Sequence, residues 1–563
     1  MQSINNSSTN IQSPLRSITR AFFPSAAAIL TLLLATASSS FAGSATWKKS
    51  PTTGDWFTAG NWTPRTVPNG PRDTATFASS NQTTIDITLD AEVNGIVFNP
   101  GASAFTIENA PLTSPTLTIS GAGITNNSGI MQNFAFEFGG AKILFSNSAS
   151  AGSLTTFTTT NIEFESTSTA GNATFINNGL MKFGNTSTAG DATINNNGSL
   201  VFDGSSTAGN ATFTNSGGLI QFGENASDTP TGGNATFINQ DGGFVVLHFG
   251  TGGDATFINN GAAATDGFKG ETLFQDTDDA GNAVLIANGG LDGGDGGSIQ
   301  FATASTGGTA RVEVSGNGNL DISPHDAPGV TIGSIEGDGD VFLGANNLTV
   351  GTNNLGTTYS GLIQDGGTNG GTGGSLTKAG TGKLTLTKSN TYTGDTTITD
   401  GTLQVTNTSG SATGTGSVQV NAGTLSGTGI ISGAVTVATG TSAATLLPGS
   451  ATIPGTLTMQ STLSFNARAT YQFVMNSNIP AAAKVVANGV TINKSAQFTF
   501  TNLGTAVLPT GVVFTVISNT SANQIAGTFA NLADRSTFTA GSNTFQVNYK
   551  GGDGNDLTLT VVP

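Results

Sequence analysis

One short phrase recurs seven times between residues 171 and 312, and it constrains the fold more than any other feature of the chain. Each copy reads Gly-Asn/Asp-Ala-Thr-Phe or a variant of it, and a worn eighth copy starts at Gly152. The seven copies open at Gly171, Gly190, Gly209, Gly233, Gly253, Gly281 and Gly308. Counted from Gly152, the intervals are 19, 19, 19, 24, 20, 28 and 27 residues. Intervals this short are insufficient for separate domains and are typical of the coils of a solenoid.

Within one copy, apolar and polar residues alternate over 172–175 and again over 181–183. A period of two indicates strands, and the two apolar positions of the second strand recur in the neighbouring copies. These recurring pairs are Ile162 and Phe164, Met181 and Phe183, Leu200 and Phe202, and Ile220 and Phe222. Coils stacked about 4.8 Å apart would cover each other's apolar positions. The sequence therefore predicts an all-β fold, a right-handed parallel β-helix.

Asparagine and glycine residues recur between the predicted strands. The asparagines are Asn177, Asn196, Asn215, Asn239 and Asn259, and the glycines are Gly179, Gly198, Gly217 and Gly261. Stacked asparagines can form a ladder of amide hydrogen bonds, and glycine serves turns that need a positive φ. We expect both sets to be architectural.

Composition excludes several classes of protein. The chain has 79 Gly and no Cys, so neither a disulfide scaffold nor a cysteine-bound metal is possible. Its 34 Phe lack a polar group and suit a dry interior. A net charge of −16 argues against nucleic acid as a partner. We expect no cofactor.

The first 42 residues have the pattern of a secretory signal peptide. Arg16 and Arg20 precede an apolar run over 26–37, and Ser40-Phe41-Ala42 forms a small-residue cleavage site. The run is shorter than the roughly 20 residues that span a bilayer, which disfavours a membrane anchor. No second apolar stretch follows. We therefore expect export, with no transmembrane anchor of the chain's own.

Residues 374–405 contain a more specific pattern: spaced Gly and Leu residues, then Asn390-Thr391-Tyr392-Thr393-Gly394, then Gly401-Thr402-Leu403. This segment resembles the autotransporter-associated β-strand repeat, also called the passenger-associated transport repeat. The resemblance implies a secreted or surface-exposed passenger domain of a Gram-negative-type bacterium, in which the repeat assists export and folding. Read from its residues alone, the segment is one more coil of short alternating strands.

The flanking sequence is similar to other parts of such surface proteins and suggests five regions. They are a signal peptide (1–42), a Trp-rich N-terminal β module or cap (43–110), a β-helix (111–350), coils around the autotransporter-associated repeat (351–440, core 374–405) and a C-terminal β-region (441–563). The long series of aromatic-girdled strands of a translocator barrel is not evident. We expect a passenger-like protein without one.

All three tryptophans, Trp47, Trp56 and Trp62, lie in the N-terminal module. They are candidates for a sugar-binding aromatic surface, and the alternative is a core that caps the first coil. We favour the cap, because no acidic or amide residues are arranged around the rings in the sequence. Asp553 and Asp556, in a stretch similar to one calcium-binding nonapeptide, are candidate calcium ligands. Such sites need successive copies, so we expect a turn there.

Enzymatic residues are sparse. His248 and His325 are isolated, and no Ser-His-Asp set is evident. The acidic groups at 276–279, 292–295 and 338–340 fall in Gly-rich stretches, where we expect solvated loops. The sequence favours a non-enzymatic, exported structural or adhesive protein, with extracellular glycans, cell-surface or matrix components and export machinery as partners. The alternative is a secreted polysaccharide lyase or hydrolase with a β-helix fold.

Overall fold

Strands make up about 49% of the protein in the computed structural model, which describes residues 42–563. The described residues contain no α-helix, and their one helical element is a 3-10 turn, Ala59–Asn61. The all-β prediction is therefore confirmed. Apart from Ala42, the predicted signal peptide lies outside the described residues.

Nine strands precede the clear copies of the phrase. They are β1 (Ala45–Trp47), β2 (Trp62–Thr63), β3 (Gly70–Phe77), β4 (Thr84–Ile87), β5 (Ala91–Phe98), β6 (Thr106–Asn109), β7 (Thr116–Asn126), β8 (Gln132–Phe136) and β9 (Lys142–Phe145). The eight repeat coils contain fourteen strands, one long strand in each of the first two coils and two strands in each of the other six. They are β10 (Ser153–Phe164), β11 (Asn172–Phe183), β12 (Thr193–Asn196), β13 (Ser199–Phe202), β14 (Thr212–Ser216), β15 (Leu219–Phe222), β16 (Thr236–Gln240), β17 (Phe244–Leu247), β18 (Thr256–Asn259), β19 (Glu271–Phe274), β20 (Val284–Ala287), β21 (Ser298–Phe301), β22 (Gly307–Val314) and β23 (Asn319–Asp321).

The C-terminal half continues the series with shorter strands. They are β24 (Gly329–Gly337), β25 (Asp340–Phe342), β26 (Asn347–Val350), β27 (Thr357–Tyr359), β28 (Leu362–Gln364), β29 (Ser375–Lys378), β30 (Lys383–Leu386), β31 (Thr396–Ile398), β32 (Thr402–Val405), β33 (Val418–Val420), β34 (Gly423–Gly427), β35 (Ile430–Ile431), β36 (Val435–Val437), β37 (Ala444–Pro448), β38 (Thr456–Met459), β39 (Leu463–Phe465), β40 (Ala469–Asn476), β41 (Ala481–Ala482), β42 (Lys484–Ala487), β43 (Val490–Ile492), β44 (Gln497–Asn502), β45 (Val513–Asn519), β46 (Thr537–Ala540), β47 (Asn543–Gly551) and β48 (Asp556–Val562).

Each coil strand pairs in parallel with its equivalents in the coils before and after it. Thr193 of β12 lies opposite Thr212 of β14, which lies opposite Thr236 of β16. The repeated phrase thus sets the register, because shifting a strand by one residue would turn every apolar side chain outward. The result is a parallel β-solenoid of about 19 turns, which confirms the predicted fold class.

Two strand faces and a corner make up each repeat coil. The first face holds the phrase strands, such as β12, β14 and β16. The second face runs from β9 through β13, β15, β17, β19, β21, β23 and β25 to β28. At the corner only single residues pair, as at Thr169, Thr188 and Thr207. Beyond residue 329 this corner widens into strands β24, β26 and β29.

Phenylalanine rings stack along the solenoid in the interior. On the first face, Phe213 and Phe237 have ring centroids 4.6 Å apart and nearly parallel planes. On the second face, the centroids of Phe183 and Phe202 lie 5.0 Å apart. These spacings match the roughly 4.7–4.9 Å between paired strands, so each ring covers its copy in the next coil. Because Phe has no polar atom, the stack leaves no unpaired group in the core.

The predicted asparagine ladder is present and fully buried. Each side-chain amide donates to the next carbonyl oxygen: Asn177 to Asn196 at 2.7 Å, Asn196 to Asn215 at 2.8 Å, Asn215 to Asn239 at 3.1 Å and Asn239 to Asn259 at 2.8 Å. The ladder ends where Ala287 replaces the next asparagine, and the Nδ2 of Asn259 has no protein partner in the described part of the chain. Amide hydrogen bonds therefore tie five coils together at this turn.

The expectation for the turn glycines was only partly right. Gly217 has a φ of 69°, but Gly179, Gly198 and Gly261 do not have a positive φ. A Cβ on Gly198 would lie 2.3 Å from the carbonyl oxygen of Gly179, so close approach of neighbouring coils is what requires glycine there. The left-handed positions are instead the opening glycines of the phrase, for example Gly190 with a φ of 62°.

Strand pairing is continuous across the predicted boundaries at 110, 350 and 440. β5 pairs with β7, β26 with β29, and β36 with β39. A second sheet begins at β35 and has seven strands, in the order β35-β38-β42-β45-β48-β47-β46. Its first pairs are parallel and its last three are antiparallel, so the chain ends in hairpins.

Candidate functional site

The three tryptophans form a closed aromatic cluster at the N-terminal end of the solenoid. Trp47, Trp56 and Trp62 are 0–1% exposed, and the ring of Trp62 lies edge-on to each of the other two at 5.0 Å. Each indole N–H donates to a backbone carbonyl, as from Trp62 to Trp56 at 2.7 Å. No ring face is open to stack on a sugar. The cluster contributes to the core of the first coil.

The calcium candidates lie in the hairpin between β47 and β48. Asp553 is exposed, whereas Asp556 accepts a hydrogen bond from the backbone N–H of Asn519 at 2.8 Å. Burial, together with the charge of Asp553, raises the pKa of Asp556. Among residues 42–563, no group of three or more His, Asp or Glu side chains is placed to hold a metal. The geometry here is that of a turn.

One acidic side chain contradicts the expectation of solvated loops. Asp278 is 0% exposed, and the backbone N–H of Gly250 in the previous coil donates to its Oδ1 at 2.6 Å. Its Oδ2 has no partner among the described residues. Burial and the nearby charge of Asp276 raise the pKa of Asp278 to about 7. Asp276 is partly exposed and Thr277 and Asp279 are exposed, so Asp278 is the one residue of this stretch that is buried.

The two histidines occupy separate places. His248 follows β17, and its Nδ1 lies 3.4 Å from Oδ2 of Asp276, with the amide of Gln275 also in contact. His325 contacts the backbone carbonyl of Ser305 through Nε2 at 2.7 Å. Neither histidine contacts a serine or threonine hydroxyl within the described chain, so a nucleophile–base pair is not assembled at either.

One outward column of the second face changes from largely apolar to polar at β19. In the earlier coils, one column of paired residues is largely apolar: Leu180, Ser199, Leu219 and Phe244. From β19 onward the same column continues as Glu271, Ser298, Asn319 and Asp340. The adjacent column is mixed along its length, with Lys182, Val201, Gln221, Val246 and Leu273 before Gln300 and Asp321. Polar side chains thus collect on one part of one face.

A glycine-rich loop, residues 365–374, lies over this polar part of the face. It follows β28 and is fixed at its tip by Asp321, whose Oδ2 accepts from both the backbone N–H and the hydroxyl of Thr368 at 2.8 and 2.7 Å. The backbone N–H of Asn369 donates to the hydroxyl of Ser323 at 3.0 Å. Gly367 has a φ of 103°, and a Cβ there would lie 2.5 Å from Oδ1 of Asp321.

The base of the loop is fixed as well. Asp365 accepts hydrogen bonds from the backbone N–H of Gly374 at 3.0 Å and from the hydroxyl of Thr393 at 2.6 Å. Between the loop and the face lies a pocket of about 320 Å³, which we call the loop pocket. Its lining includes Lys269, Ser298, Gln300, Asn319, Phe342 and Thr368. Lys269 comes from the long insertion after Gly253, so two insertions build this pocket.

Charged groups at the loop pocket are negative in sum. Lys269 forms an ion pair with Glu271 at 2.9 Å. Asp321 is 3% exposed and holds the loop, and Asp340 lies one coil beyond Asn319 in the outward column. Burial raises the pKa of Asp340, an effect that Lys388 opposes. Sequence reasoning missed this site because its residues are separated by up to 99 positions and meet only when coils of unequal length are stacked.

The segment that resembles the autotransporter-associated repeat forms β29 to β32. Here Asn390 bridges two coils: its Oδ1 accepts from the N–H of Ile363 at 2.8 Å, and its Nδ2 donates to the carbonyl of Ala412 at 2.6 Å. The hydroxyl of the buried Tyr392 bonds that of Thr396 at 2.6 Å. These side chains replace the second-face strand that this coil lacks. The Asn-Thr-Tyr pattern therefore has a packing role.

Lys378 is a buried cation in the same coil. It is 1% exposed, and its ammonium donates to the carbonyls of Ala379, Gly380 and Asp400 at 2.6, 2.8 and 3.3 Å. Burial lowers its pKa, and Asp400 opposes that shift. Three carbonyls hold the charge in place of water, so Lys378 closes the turn after β29 onto the turn after β31.

Comparison with known protein families identifies one repeat in the chain. The family model of the passenger-associated transport repeat matches residues 376–405, which are the strands described above. No curated protein matches the chain. Within residues 42–563, no helix is both long enough and apolar enough to cross a membrane. The chain thus contains one passenger-associated transport repeat within a parallel β-solenoid, an arrangement that fits a passenger-like autotransporter repeat protein.

Proposed function

We propose that this protein is an exported structural or adhesive module of a bacterial surface or its surroundings and that it catalyses no reaction. The observation that carries the proposal is the polar ladder on the outside of the repeat coils. Asn210 donates to Asp191 at 2.9 Å, and Asn234 donates to Asn210 at 3.2 Å. Such a ladder offers similar shallow polar contacts on successive coils between residues 191 and 309.

Repeated shallow contacts suit adhesion better than catalysis. Each coil would bind weakly, and simultaneous engagement of several coils would multiply the affinity through effective concentration. A net charge of −16 would also keep copies of the protein apart in solution. The partners that fit this surface are extracellular glycans and cell-surface or matrix components, whose many hydroxyl groups can exchange hydrogen bonds with Asn, Asp and Thr.

The proposal is tested with cells that lack the protein and with cells complemented by the whole chain. We expect complemented cells to attach to neighbouring cells or to matrix-coated surfaces, and cells without the protein to lose attachment. Purified protein incubated with acidic and neutral polysaccharides should release no shortened products. Equal attachment by both cell types would refute the adhesive role.

One observation favours the second candidate function, a secreted polysaccharide lyase or hydrolase. Asp321 and Lys269 both line the loop pocket, and Asp340, whose pKa burial raises as a general acid requires, lies one coil beyond Asn319 in the outward column. Both oxygens of Asp321 already accept hydrogen bonds from the chain, which suits a structural anchor better than an acid or base. Depolymerisation of any polysaccharide by the purified protein would establish this function instead.

A further inference from the structure

We propose that the loop pocket binds a neutral sugar unit of a glycan chain. This inference rests on the proposed extracellular adhesive function and assigns that function a defined contact point on the solenoid. The pocket is concave, and its volume of about 320 Å³ accommodates a hexose-sized ring. It lies at the lower end of the roughly 300–1,000 Å³ found for ligand pockets, which fits a small unit of a larger polymer.

The walls of the pocket are fixed before any ligand arrives. Asp321 holds the tip of the loop through two hydrogen bonds from Thr368, and Asp365 holds its base. The floor is a sheet face whose strands pair on both sides. A pocket that is already ordered loses little conformational entropy on binding, so weak hydrogen bonds to sugar hydroxyls can still give measurable affinity.

Two carboxamides in the pocket have hydrogen-bonding capacity that the protein does not use. The side chain of Gln300 makes no hydrogen bond to another residue in the described part of the chain. Asn319 accepts from the hydroxyl of Ser298 at 2.9 Å, and its amide N–H groups have no partner among residues 42–563. Carboxamides both donate and accept, which matches the hydroxyl groups of a sugar. Gln300 and Asn319 are partly exposed, so water satisfies their free groups in the unbound protein and sugar hydroxyls can take the place of that water.

Phe342 supplies the apolar part of the pocket. It is half-buried on the outward side of β25, whereas its neighbour Val341 points into the core. A sugar ring has an apolar face of C–H groups, which packs on the negative face of an aromatic ring. Among the described coils of the second face, the outward column that holds Gln300 carries its one aromatic residue here, two coils beyond Gln300 with Asp321 between them.

Charge decides which class of sugar fits. Lys269 is the one cation in the lining, and it is already paired with Glu271. Asp321 adds a further negative charge beneath the loop. An acidic sugar would meet this surplus of carboxylates and be repelled. The pocket therefore selects neutral hexose or N-acetylhexosamine units over uronic acids.

Two variants and a matched control test the proposal. Gln300→Ala removes the free carboxamide, and Phe342→Ala removes the ring. Gln221→Ala removes the same amide from the same outward column, three coils away and outside the pocket. The probes are neutral glucan, mannan and chitin oligomers, with polygalacturonate as the acidic arm, and binding is measured by saturation-transfer NMR and titration calorimetry. Melting temperature and circular dichroism verify that each variant folds.

We expect neutral oligomers to bind and polygalacturonate not to bind. Gln300→Ala should weaken binding by about 3- to 10-fold, the loss of one or two neutral hydrogen bonds, and Gln221→Ala should leave it unchanged. Three results would each overturn the inference. They are that none of the neutral oligomers binds, that polygalacturonate binds more tightly than the neutral oligomers, or that wild type and Gln300→Ala bind with equal affinity. These measurements use purified protein, so they can fail while the attachment assay succeeds, and the two proposals are separable.

Discussion

Replacing Asn215 by alanine tests whether the buried amide ladder holds the coils together. Asn215 lies in the middle of the ladder and is 0% exposed. It accepts from Asn196 at 2.8 Å and donates to Asn239 at 3.1 Å and to the carbonyl of Phe244 at 3.2 Å. The substitution therefore removes three hydrogen bonds across two coil interfaces at once.

The loss in the free energy of unfolding caused by Asn215→Ala depends on which hydrogen-bonding groups of its neighbours are left without a partner. Asn196 keeps two other acceptors, the carbonyls of Gly198 and Leu219. The side-chain oxygen of Asn239 loses its donor and has no other among the described residues. A buried acceptor left unsatisfied costs about 1–3 kcal/mol, and the small cavity adds to this. We expect a loss of about 2–5 kcal/mol in the free energy of unfolding.

Asn197→Ala provides the matched control, since Asn197 follows the ladder residue Asn196 in the equivalent turn one coil earlier. Asn197 is exposed, and its amide donates to Asn178 at 3.1 Å on the outside of the coil. An exposed position should cost less than about 0.5 kcal/mol. Both variants have the same change in composition, so the difference between them isolates burial of the ladder.

Urea denaturation gives the overall change, and hydrogen exchange gives its location. In a solenoid each coil contacts only its neighbours, so exchange should rise mainly in peptides from coils 193–259. Equal shifts in the urea midpoint for Asn215→Ala and Asn197→Ala would refute the reasoning. Faster exchange spread evenly over residues 42–563 would also contradict it.

Three further predictions follow from buried side chains. Asp278→Asn should raise the melting temperature at pH 8 and leave it nearly unchanged at pH 4. Burial raises the pKa of the wild-type carboxyl to about 7 in the folded protein, so the protonated carboxyl favours folding below its ordinary pKa. This contribution to the free energy of unfolding is lost as the pH rises from about 4 to 7. Lys378→Met should destabilise the coil at 376–405 by about 2–4 kcal/mol, since three carbonyls lose their donor, and limited proteolysis should then cut there. Trp62→Ala should cost about 3–5 kcal/mol and speed hydrogen exchange at residues 43–100 without changing glycan binding by the loop pocket.

The sequence predicts most of the coil because the coil is periodic. Alternation identifies the strands, and the recurrence of Thr193, Thr212 and Thr236 at the start of each phrase strand sets the register between coils. The ladder of Asn177 to Asn259 follows from the same register. Where a residue repeats, its neighbours one coil away are known before the structure is seen.

Features that depend on unequal coils were not predictable in this way. Asp278 is buried against the preceding coil, where the backbone N–H of Gly250, 28 residues earlier, donates to its carboxylate, whereas the acidic stretch alone suggests solvent. The loop pocket combines an insertion near Lys269 with a loop near Thr368, which the sequence separates. Glycine is required at position 198 because the backbone one coil away approaches it closely, although a glycine in a turn suggests a positive φ.

The central claim is that this solenoid works outside the cell, and location of the protein tests that claim most directly. Cells that produce the protein are separated into cytoplasm, membranes and medium, intact cells are labelled with antibody, and the N-terminus of the recovered chain is determined by mass spectrometry. We expect the chain at the surface or in the medium, beginning at Gly43 after removal of residues 1–42. Protein confined to the cytoplasm with residues 1–42 still attached would contradict the claim.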